Sequence, residues 1–307
     1  MSTTAPPVDA PAPVPPGRHA PPAGAGDAPK GGDRRYSPLV VAGLVLLAIV
    51  VGVALAAPLL SRYSPKAISG PSYSQPSARH WLGTDDSGRD LFAQLVYGAR
   101  ASLFVAVVAG SLAMVGAVLL GVLPAVAGGA TDTVCNRVVV FLLALPAAPL
   151  LIMIGAMAGN QRVAIILVIG FLGVAPTARL LRARTISLRQ RGFIASARGF
   201  GSGPLYLTRR HLVPSLGPLL VVRFVNWAGV AVGLEAGLAF LGLGNPSSIS
   251  WGMTMNRALS QQAVYFSPLW TWWALPPGFA VTITILGFVF LGVGLEPTFN
   301  PRWLANA

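Results

Sequence analysis

Six long apolar runs restrict what this 307-residue chain can fold into. They cover residues 39–60, 102–130, 138–159, 163–178, 212–244 and 270–295. A helix needs about 20 mostly apolar residues to cross a bilayer, and backbone polar groups inside lipid can be satisfied only in helices or closed barrels. Only 10% of the residues are charged, against about 25% in soluble domains. We therefore predict an all-α membrane protein with six transmembrane helices.

The distribution of lysine and arginine predicts how these helices are oriented. With the N-terminus in the cytoplasm, the cytoplasmic segments hold 14 of these residues and the external segments hold 7. Cytoplasmic loops of membrane proteins carry the excess of Lys and Arg. Both termini and the segment 179–210, which alone has eight arginines, are therefore predicted to be cytoplasmic.

The chain divides into three predicted parts. Residues 1–37 are rich in Pro and Ala and cannot bury enough apolar surface to fold, so we predict a disordered cytoplasmic tail rather than a signal peptide. Residues 38–100 hold the first transmembrane helix and an external loop. Residues 101–307 form the core transmembrane domain, with a cytoplasmic loop at 182–214.

The sequence contains no recognisable site for catalysis, nucleotides or metals. Neither Lys30 nor Lys66 follows the G-x-x-x-x-G frame of a phosphate-binding loop. The single cysteine, Cys135, excludes an intrachain disulfide, and the three histidines lie far apart. The net charge of +13 does not predict nucleic-acid binding, because the basic residues lie between apolar runs rather than beside interleaved aromatic residues.

One cytoplasmic stretch differs from the rest of the chain and reads RGFIASARGFGSGPLYLTRRHLVPSL. Phe193, Ala197 and Phe200 are spaced so that they share one helical face. Gly201 can adopt the left-handed conformation that ends a helix, and Pro204 suits the first turn of the next helix. This pattern predicts a helix–turn–helix that docks a cytoplasmic partner. An ordinary positively charged loop with an interfacial helix is the alternative.

Part of this stretch resembles the coupling loop of ABC importer permeases. Ser196–Gly201, S-A-R-G-F-G, is followed at the family's spacing by Arg210–Pro214, R-H-L-V-P. The resemblance implies that residues 191–214 couple the membrane channel to ATPases, through Phe193, Ser196, Ala197, Arg198, Phe200, Gly201, Arg210, His211 and Pro214. Ala195 stands where the family motif has a glutamate, so a salt bridge attributed to that glutamate is in doubt.

Further motifs are similar to the dipeptide/oligopeptide/nickel branch of this family. They are His80–Asp90 (HWLGTDDSGRD), Tyr97–Leu103 (YGARASL), Glu235–Gly244 (EAGLAFLGLG), Ser250–Gly252 (SWG) and Leu291–Arg302 (LGVGLEPTFNPR). In the last motif, Val293 and Asn300 replace acidic residues of the branch pattern. The resemblance covers about residues 38–303 and fits the C-type subunit of the permease pair.

The resemblance implies a type I ABC importer permease fold and a location in the bacterial plasma membrane. It also implies a homologous second permease subunit, one or two ATPase subunits that bind ATP and magnesium, and an extracytoplasmic solute-binding protein. Peptides are the implied cargo, with nickel, haem or another small solute as alternatives. This chain is expected to bind no cofactor and to catalyse no reaction. The face for the binding protein is expected to include Asp85, Asp86, Arg89, Asp90 and Trp251.

Charged residues inside predicted spans are expensive and usually face a water-filled path or a partner. We therefore expect Arg223, Asn226 and Glu235 to line the translocation pathway. Contacts between helices of the bundle are the alternative for the two charged residues. Glycines repeat every four residues across 229–237 and predict a face for close helix packing.

An ion-gradient-driven secondary transporter is the alternative from another class. Such transporters use intramembrane carboxylates to couple protons or sodium to transport, and Glu235 is the one candidate inside the predicted spans. An enzyme acting within the membrane would need a convergent set of His, Asp, Ser or Cys residues. The sequence indicates no such set.

Overall fold

The structure, a computed structural model, describes residues 37–157, 161–190, 192, 199 and 201–299. The predicted tail therefore lies outside the described residues apart from Ser37. The described residues form helices joined by turns, with two isolated β-bridges, Ile68 to Arg89 and Thr84 to Asp90. The helices are α1 Pro38–Leu55, α2 Ala57–Leu60, α3 Leu91–Ala117, α4 Leu123–Ala127, α5 Gly129–Ala144, α6 Ala147–Met157, α7 Arg162–Arg189, α8 Pro204–Leu207, α9 Val213–Phe240, α10 Trp251–Leu259, α11 Gln262–Phe266, α12 Leu269–Trp273 and α13 Leu275–Phe299.

Five helical stretches are long and apolar enough to cross a membrane. They are Pro38–Leu55, Leu91–Ala127, Arg162–Arg189, Pro204–Phe240 and Leu269–Glu296. A sixth crossing would consist of α5 and α6, which meet the same criteria together but are bent by 83°. The described residues confirm the all-helical membrane fold. The third predicted span, 138–159, is this bent pair rather than one straight helix.

A proline causes the bend between α5 and α6. Pro146 disfavours a helical conformation at the residue before it, and Leu145 is extended, with φ −72° and ψ 131°. A proline also lacks the N–H group that would continue the helical hydrogen bonding. The helix therefore breaks at Leu145, although the composition there indicates one uninterrupted span.

Helix α3 begins at Leu91, whereas the apolar run predicted a start at Ser102. The side chain of Asp90 caps α3 by accepting a hydrogen bond from the backbone N of Ala93 at 2.6 Å. The predicted domain boundary between residues 100 and 101 consequently falls inside α3. The described residues from 37 onward belong to one compact unit.

Helices α3 and α9 form the centre of the bundle. Helix α3 packs against α7 and α9, α9 packs against α13, and α1 lies against α13 and α3. Small side chains occupy these contacts, because Ala106, Ala109 and Ala113 of α3 and Ala228 and Ala231 of α9 are buried. Small residues let helix backbones approach closely in lipid, where packing holds helices together.

The predicted glycine face of α9 packs against α13. A Cβ at Gly229 would lie 2.8 Å from Cβ of Phe288, and one at Gly233 would lie 3.4 Å from Cδ1 of Ile285. A Cβ at Gly237 would meet no atom within 4 Å. The predicted packing face is therefore confirmed at the first two glycines, and the third faces open space.

Two of the spans contain a π-helical turn just before a proline. Val118–Val122 precedes Pro124, and Thr208–Leu212 precedes Pro214. A proline cannot donate to the carbonyl four residues back, and its ring crowds that carbonyl. The wider π turn, which bonds residue i to i+5, accommodates each proline, so that the helical path continues through it.

Helix α1 crosses α13 at a glycine. A Cβ on Gly43 would lie 2.5 Å from the backbone N of Leu291 and 2.8 Å from the carbonyl O of Gly287. Backbone atoms of a helix cannot move aside as a flexible side chain can. The position of α1 on the bundle therefore requires glycine at residue 43.

We expect Gly43→Ala to loosen α1 from α13. The added methyl group overpacks a backbone contact at a cost of about 1–3 kcal/mol, so the unfolding temperature in detergent should fall by about 2–10 °C. Gly52→Ala in the same helix is the matched control, because a Cβ there meets no atom within 4 Å. Equal unfolding temperatures for the two variants, measured by intrinsic fluorescence, would contradict this packing.

Candidate functional site

Arginines tie the helices together at one end of the bundle. Arg182 of α7 forms a bidentate ion pair with Asp132 of α5, in which Nε–Oδ1 and Nη2–Oδ2 are both 2.8 Å. Arg189, at the end of α7, donates to the carbonyl O of Ala125 in the last turn of α4. Carbonyls in the last turn of a helix have no partner within that helix. We call residues 179–190 and 201–214 the arginine-rich end.

Part of the predicted coupling loop lies outside the described residues, namely Phe193, Ser196, Ala197, Arg198 and Phe200. Gly201 is described and has a φ of +80°, as predicted for the residue that ends a helix in the left-handed conformation. Pro204 begins α8, also as predicted. The turn of the predicted helix–turn–helix is therefore present.

The second half of the loop presents basic and apolar side chains side by side. Arg209 and Arg210 are exposed, and Leu205 and Tyr206 are 61% and 54% exposed. The ring of His211 lies edge-on to the ring of Tyr206, with 5.8 Å between their centroids. Tyr and Arg are enriched where proteins contact each other. This surface is therefore suited to a protein partner.

At the opposite end of the bundle, Asp85 is a buried hydrogen-bond acceptor. Its Oδ1 accepts from the backbone N of Ser87 at 2.9 Å and of Arg89 at 2.8 Å. Its Oδ2 accepts from Nε2 of Gln94 at 2.7 Å. Because Gln94 belongs to α3, Asp85 fastens residues 61–90, which we call the outer loop, to that helix.

Asp90 and His80 form a buried pair at the base of the outer loop. Oδ2 of Asp90 lies 2.8 Å from Nδ1 of His80, while the other oxygen caps α3. The His80 ring stacks on Tyr63 with 4.8 Å between the ring centroids. The role of His80 was not predicted, because no helical or strand period relates two residues that are 10 apart in a turn-rich loop.

Trp251 also lies inside the fold. Its indole N–H donates to the carbonyl O of Leu95 at 2.8 Å. A Cβ at Gly98 would lie 2.8 Å from Cδ1 of the indole, so the ring occupies the space that this glycine leaves. Trp251 therefore locks α10 onto α3.

The residues predicted to contact a binding protein differ in their accessibility. Asp85, Asp90 and Trp251 are buried, whereas Asp86 and Arg89 are half-buried. The buried three determine the shape of the outer surface through the hydrogen bonds described above. Direct contact with a partner stays a prediction for the two half-buried residues.

The outer loop and the segment after α9 meet at Gln261. Nε2 of Gln261 donates to Oδ2 of Asp86 at 3.4 Å, and the hydroxyl of Tyr73 donates to Oε1 of Gln261 at 3.2 Å. Burial lowers the pKa of Arg257 in α10 from its ordinary value, and repulsion by Arg89 of the outer loop lowers it further. The two segments that supply the residues predicted for the binding-protein face are therefore in contact.

Arg100 connects the motif Y-G-A-R to α1. Its Nε donates to the carbonyl O of Ala54 at 2.6 Å, and its Nη2 donates to that of Leu55 at 3.2 Å. The guanidinium lies 5.4 Å from the ring centroid of Tyr97. A positive charge is favourable at a helix C-terminus, so Arg100 caps α1 while it joins α1 to α3.

The residues predicted to line a pathway fall into two cavities. Arg223 and Asn226 line a cavity of about 480 Å³ at the arginine-rich end, together with Arg184 and Glu296. Glu235 lines a separate cleft against the loop that follows α9. Arg223 and Glu235 are 12 residues apart on one helix, which is roughly 18 Å. Neither Arg184 nor Glu296 was predicted as a pathway residue.

Known proteins with similar sequences include membrane permeases of transport systems. The sequence profile of a family described as binding-protein-dependent transport system inner membrane component matches residues 117–304. A protein of Brucella suis biovar 1 named as a peptide permease is 37% identical over 262 residues, which is 85% of this chain and 86% of the relative. The dipeptide transport system permease protein of Alkalihalophilus pseudofirmus is 35% identical over 268 residues, 86% of each chain. The oligopeptide transport system permease protein of Bacillus subtilis is 30% identical over 272 residues, 87% of each chain.

We expect Asp85→Asn to destabilise the outer loop. The new amide would point an NH₂ group at hydrogen-bond donors, and loss of a charged acceptor costs about 1.5–3 kcal/mol, or about 3–10 °C in unfolding temperature. Asp86→Asn is the matched control, because Asp86 is half-buried and lies 3.4 Å from Nε2 of Gln261. If scanning fluorimetry in detergent gave both variants the same shift, the buried role of Asp85 would be refuted.

Proposed function

The chain belongs to the family of binding-protein-dependent transport system inner membrane components, and we propose that it forms one half of the translocation pathway of an ATP-driven ABC importer. The family match over residues 117–304, which include the predicted coupling loop, carries this proposal. The proposed cargo is di- or oligopeptides, because similar proteins that align with 85–87% of the chain are named as peptide, dipeptide and oligopeptide permeases. Nickel, haem or another small solute is the alternative cargo.

The proposed complex contains partners on both sides of the membrane. A homologous permease subunit supplies the other half of the pathway, and one or two cytoplasmic ATPase subunits bind ATP and magnesium. A solute-binding protein delivers cargo to the outer surface, where Asp86 and Arg89 are its proposed contacts. This chain performs no chemistry itself in the proposal, since hydrolysis takes place in the ATPases. It transmits their movement to the pathway.

The proposed route of transmission runs from the arginine-rich end into α9. The ATPases would contact the predicted helix before Gly201 together with the exposed side chains of Leu205, Tyr206 and Arg210. The π turn Thr208–Leu212 connects this surface directly to α9. Helix α9 carries Arg223 and Asn226, so a displacement of α8 reaches the cavity through a continuous helical path.

The proposed orientation places both termini and the arginine-rich end in the cytoplasm. In a chain with Cys135→Ser, we expect Ala78→Cys to react with a membrane-impermeant maleimide in intact cells, because Ala78 is exposed in the outer loop. Leu205→Cys, at a position that is 61% exposed, should react only after the membrane is opened. The reverse labelling pattern would show that the proposed orientation is wrong.

We expect Gly201→Trp to uncouple the ATPases. The φ of +80° suits glycine but costs other residues about 1–2 kcal/mol, so α8 and the predicted helix before Gly201 should shift. Tagged wild-type chain purified in mild detergent should bring down a homologous permease and P-loop ATPases. The variant should lose the ATPases, and its ATP-dependent dipeptide uptake should fall about 5- to 30-fold.

Gly203→Ala is the matched control for this experiment. Gly203 has an ordinary φ of −70°, and a Cβ there meets no atom of the described residues within 4 Å, so this variant should keep both its ATPases and its uptake. If no ATPase co-purified with the wild-type chain, the proposed function would be refuted. Uptake driven by a proton or sodium gradient would then be measured next. Uptake of nickel or haem instead of dipeptide would change the proposed cargo and leave the proposed coupling to the ATPases unchanged.

A further inference from the structure

A cavity of mixed charge lies at the arginine-rich end, between α7, α9 and α13. Its charged lining residues are Arg184, Arg223 and Glu296, and its neutral polar ones are Ser187, Ser215 and Asn226. Leucines from α7 and α9 complete the wall. At about 480 Å³, it has room for a ligand larger than an ion.

The charges of α9 and α13 lie at a similar depth in this cavity. The side chain of Asn226 packs so closely on Gly292 of α13 that no Cβ would fit there, which identifies where the two antiparallel helices touch. Arg223 lies three residues before Asn226, and Glu296 lies four residues after Gly292. At 1.5 Å per residue, both are displaced by roughly 4–6 Å from the contact toward the arginine-rich end.

These opposite charges do not pair with each other. Among the described residues, the ion pairs are His80–Asp90 and Arg182–Asp132, and Nε of Arg223 is buried without a hydrogen-bond partner. An unsatisfied buried donor is costly, and more so when it is charged. Ionisable groups inside membrane spans usually face a water-filled path or a partner. The cavity therefore holds two charges without an ion-pair partner, the half-buried Arg223 and the exposed Glu296.

We infer that this cavity binds a short peptide by its two free ends, with Glu296 facing the N-terminal ammonium group and Arg223 facing the C-terminal carboxylate. The inference rests on the proposed function and assigns a recognition site within it. A lone cation would be repelled by Arg184 and Arg223, and a lone anion would leave Glu296 without a partner. A zwitterion matches both signs of charge.

The dimensions of the cavity suit a dipeptide or tripeptide. An extended chain spans at most about 3.3–3.6 Å per residue, which gives roughly 7–10 Å between the ends of such a peptide. Packed helix axes are about 8–10 Å apart, so the ends can reach facing charges on α9 and α13. Ser187, Ser215 and Asn226 can bond the peptide backbone, while the leucine wall accepts side chains of varied size.

The test measures binding to the complete importer in lipid nanodiscs, without the solute-binding protein. The ligands are radiolabelled alanyl-alanine with free ends, its C-terminal amide and its N-acetyl form. Wild type should bind the free dipeptide about tenfold more tightly than either blocked form, as expected for loss of one charge-assisted hydrogen bond. Arg223→Gln should abolish only the preference for the free dipeptide over its C-terminal amide. Glu296→Gln should abolish only the preference for the free dipeptide over its N-acetyl form.

Arg179→Gln is the matched control, because Arg179 is an exposed arginine of α7 outside the cavity. It should leave both preferences unchanged. Equal binding of all three ligands by wild type would overturn the inference, and so would unaltered preferences in the Arg223 and Glu296 variants. Loss of co-purified phospholipid from these variants with unchanged dipeptide binding would assign the site to a lipid headgroup and also overturn it.

A second readout separates this inference from the proposed function. ATP-dependent uptake of alanyl-alanine is measured in proteoliposomes that contain the same importer together with its binding protein. Absence of uptake by wild type would refute peptide import itself. Uptake by wild type with no change of end preference in either variant would refute the recognition site alone.

Discussion

The fold depends on satisfying backbone carbonyls at helix ends, where no intrahelical donor is available and lipid supplies none. Arg100 of α3 bonds the last carbonyls of α1, and Arg189 of α7 bonds one at the end of α4. Nδ2 of Asn256 in α10 donates to the carbonyl O of Phe240, the last residue of α9, at 2.7 Å. In each case the donor and the carbonyl that it satisfies belong to different helices. The bonds that complete one helix therefore also fix its position against a second.

The same requirement distinguishes two sets of charged residues among those that the structure describes. Arg182–Asp132 and His80–Asp90 are paired at the two ends of the bundle, where they join neighbouring helices or hold a loop. Arg223, Glu235 and Glu296 line cavities instead. Since an unpaired charge persists at depth only where water or a ligand reaches it, the paired charges belong to the scaffold, whereas Arg223 and Glu235 are the residues that we propose for a pathway.

Apolar length predicted the spans well, because lipid selects for composition, and composition is visible in a single sequence. It could not locate the start of α3, since residues 91–101 form helix outside the apolar run under a cap from Asp90. The carboxylates of Asp85 and Asp90 resembled surface charges, and only the fold brings Gln94 and His80 to them. Glu296 carried no signal either, because the arginines that share its cavity are distant in sequence.

The packing of helix α9 determines how far a movement at the arginine-rich end can extend along it. Pro218 lies inside α9 and lines the cavity with Arg223, and a proline there removes one helical hydrogen bond and weakens the helix at that turn. Beyond it, Gly229 holds α9 against Phe288 of α13. A displacement of α8 would therefore bend α9 near Pro218 and reshape the cavity, while the outer half of the helix stays in place.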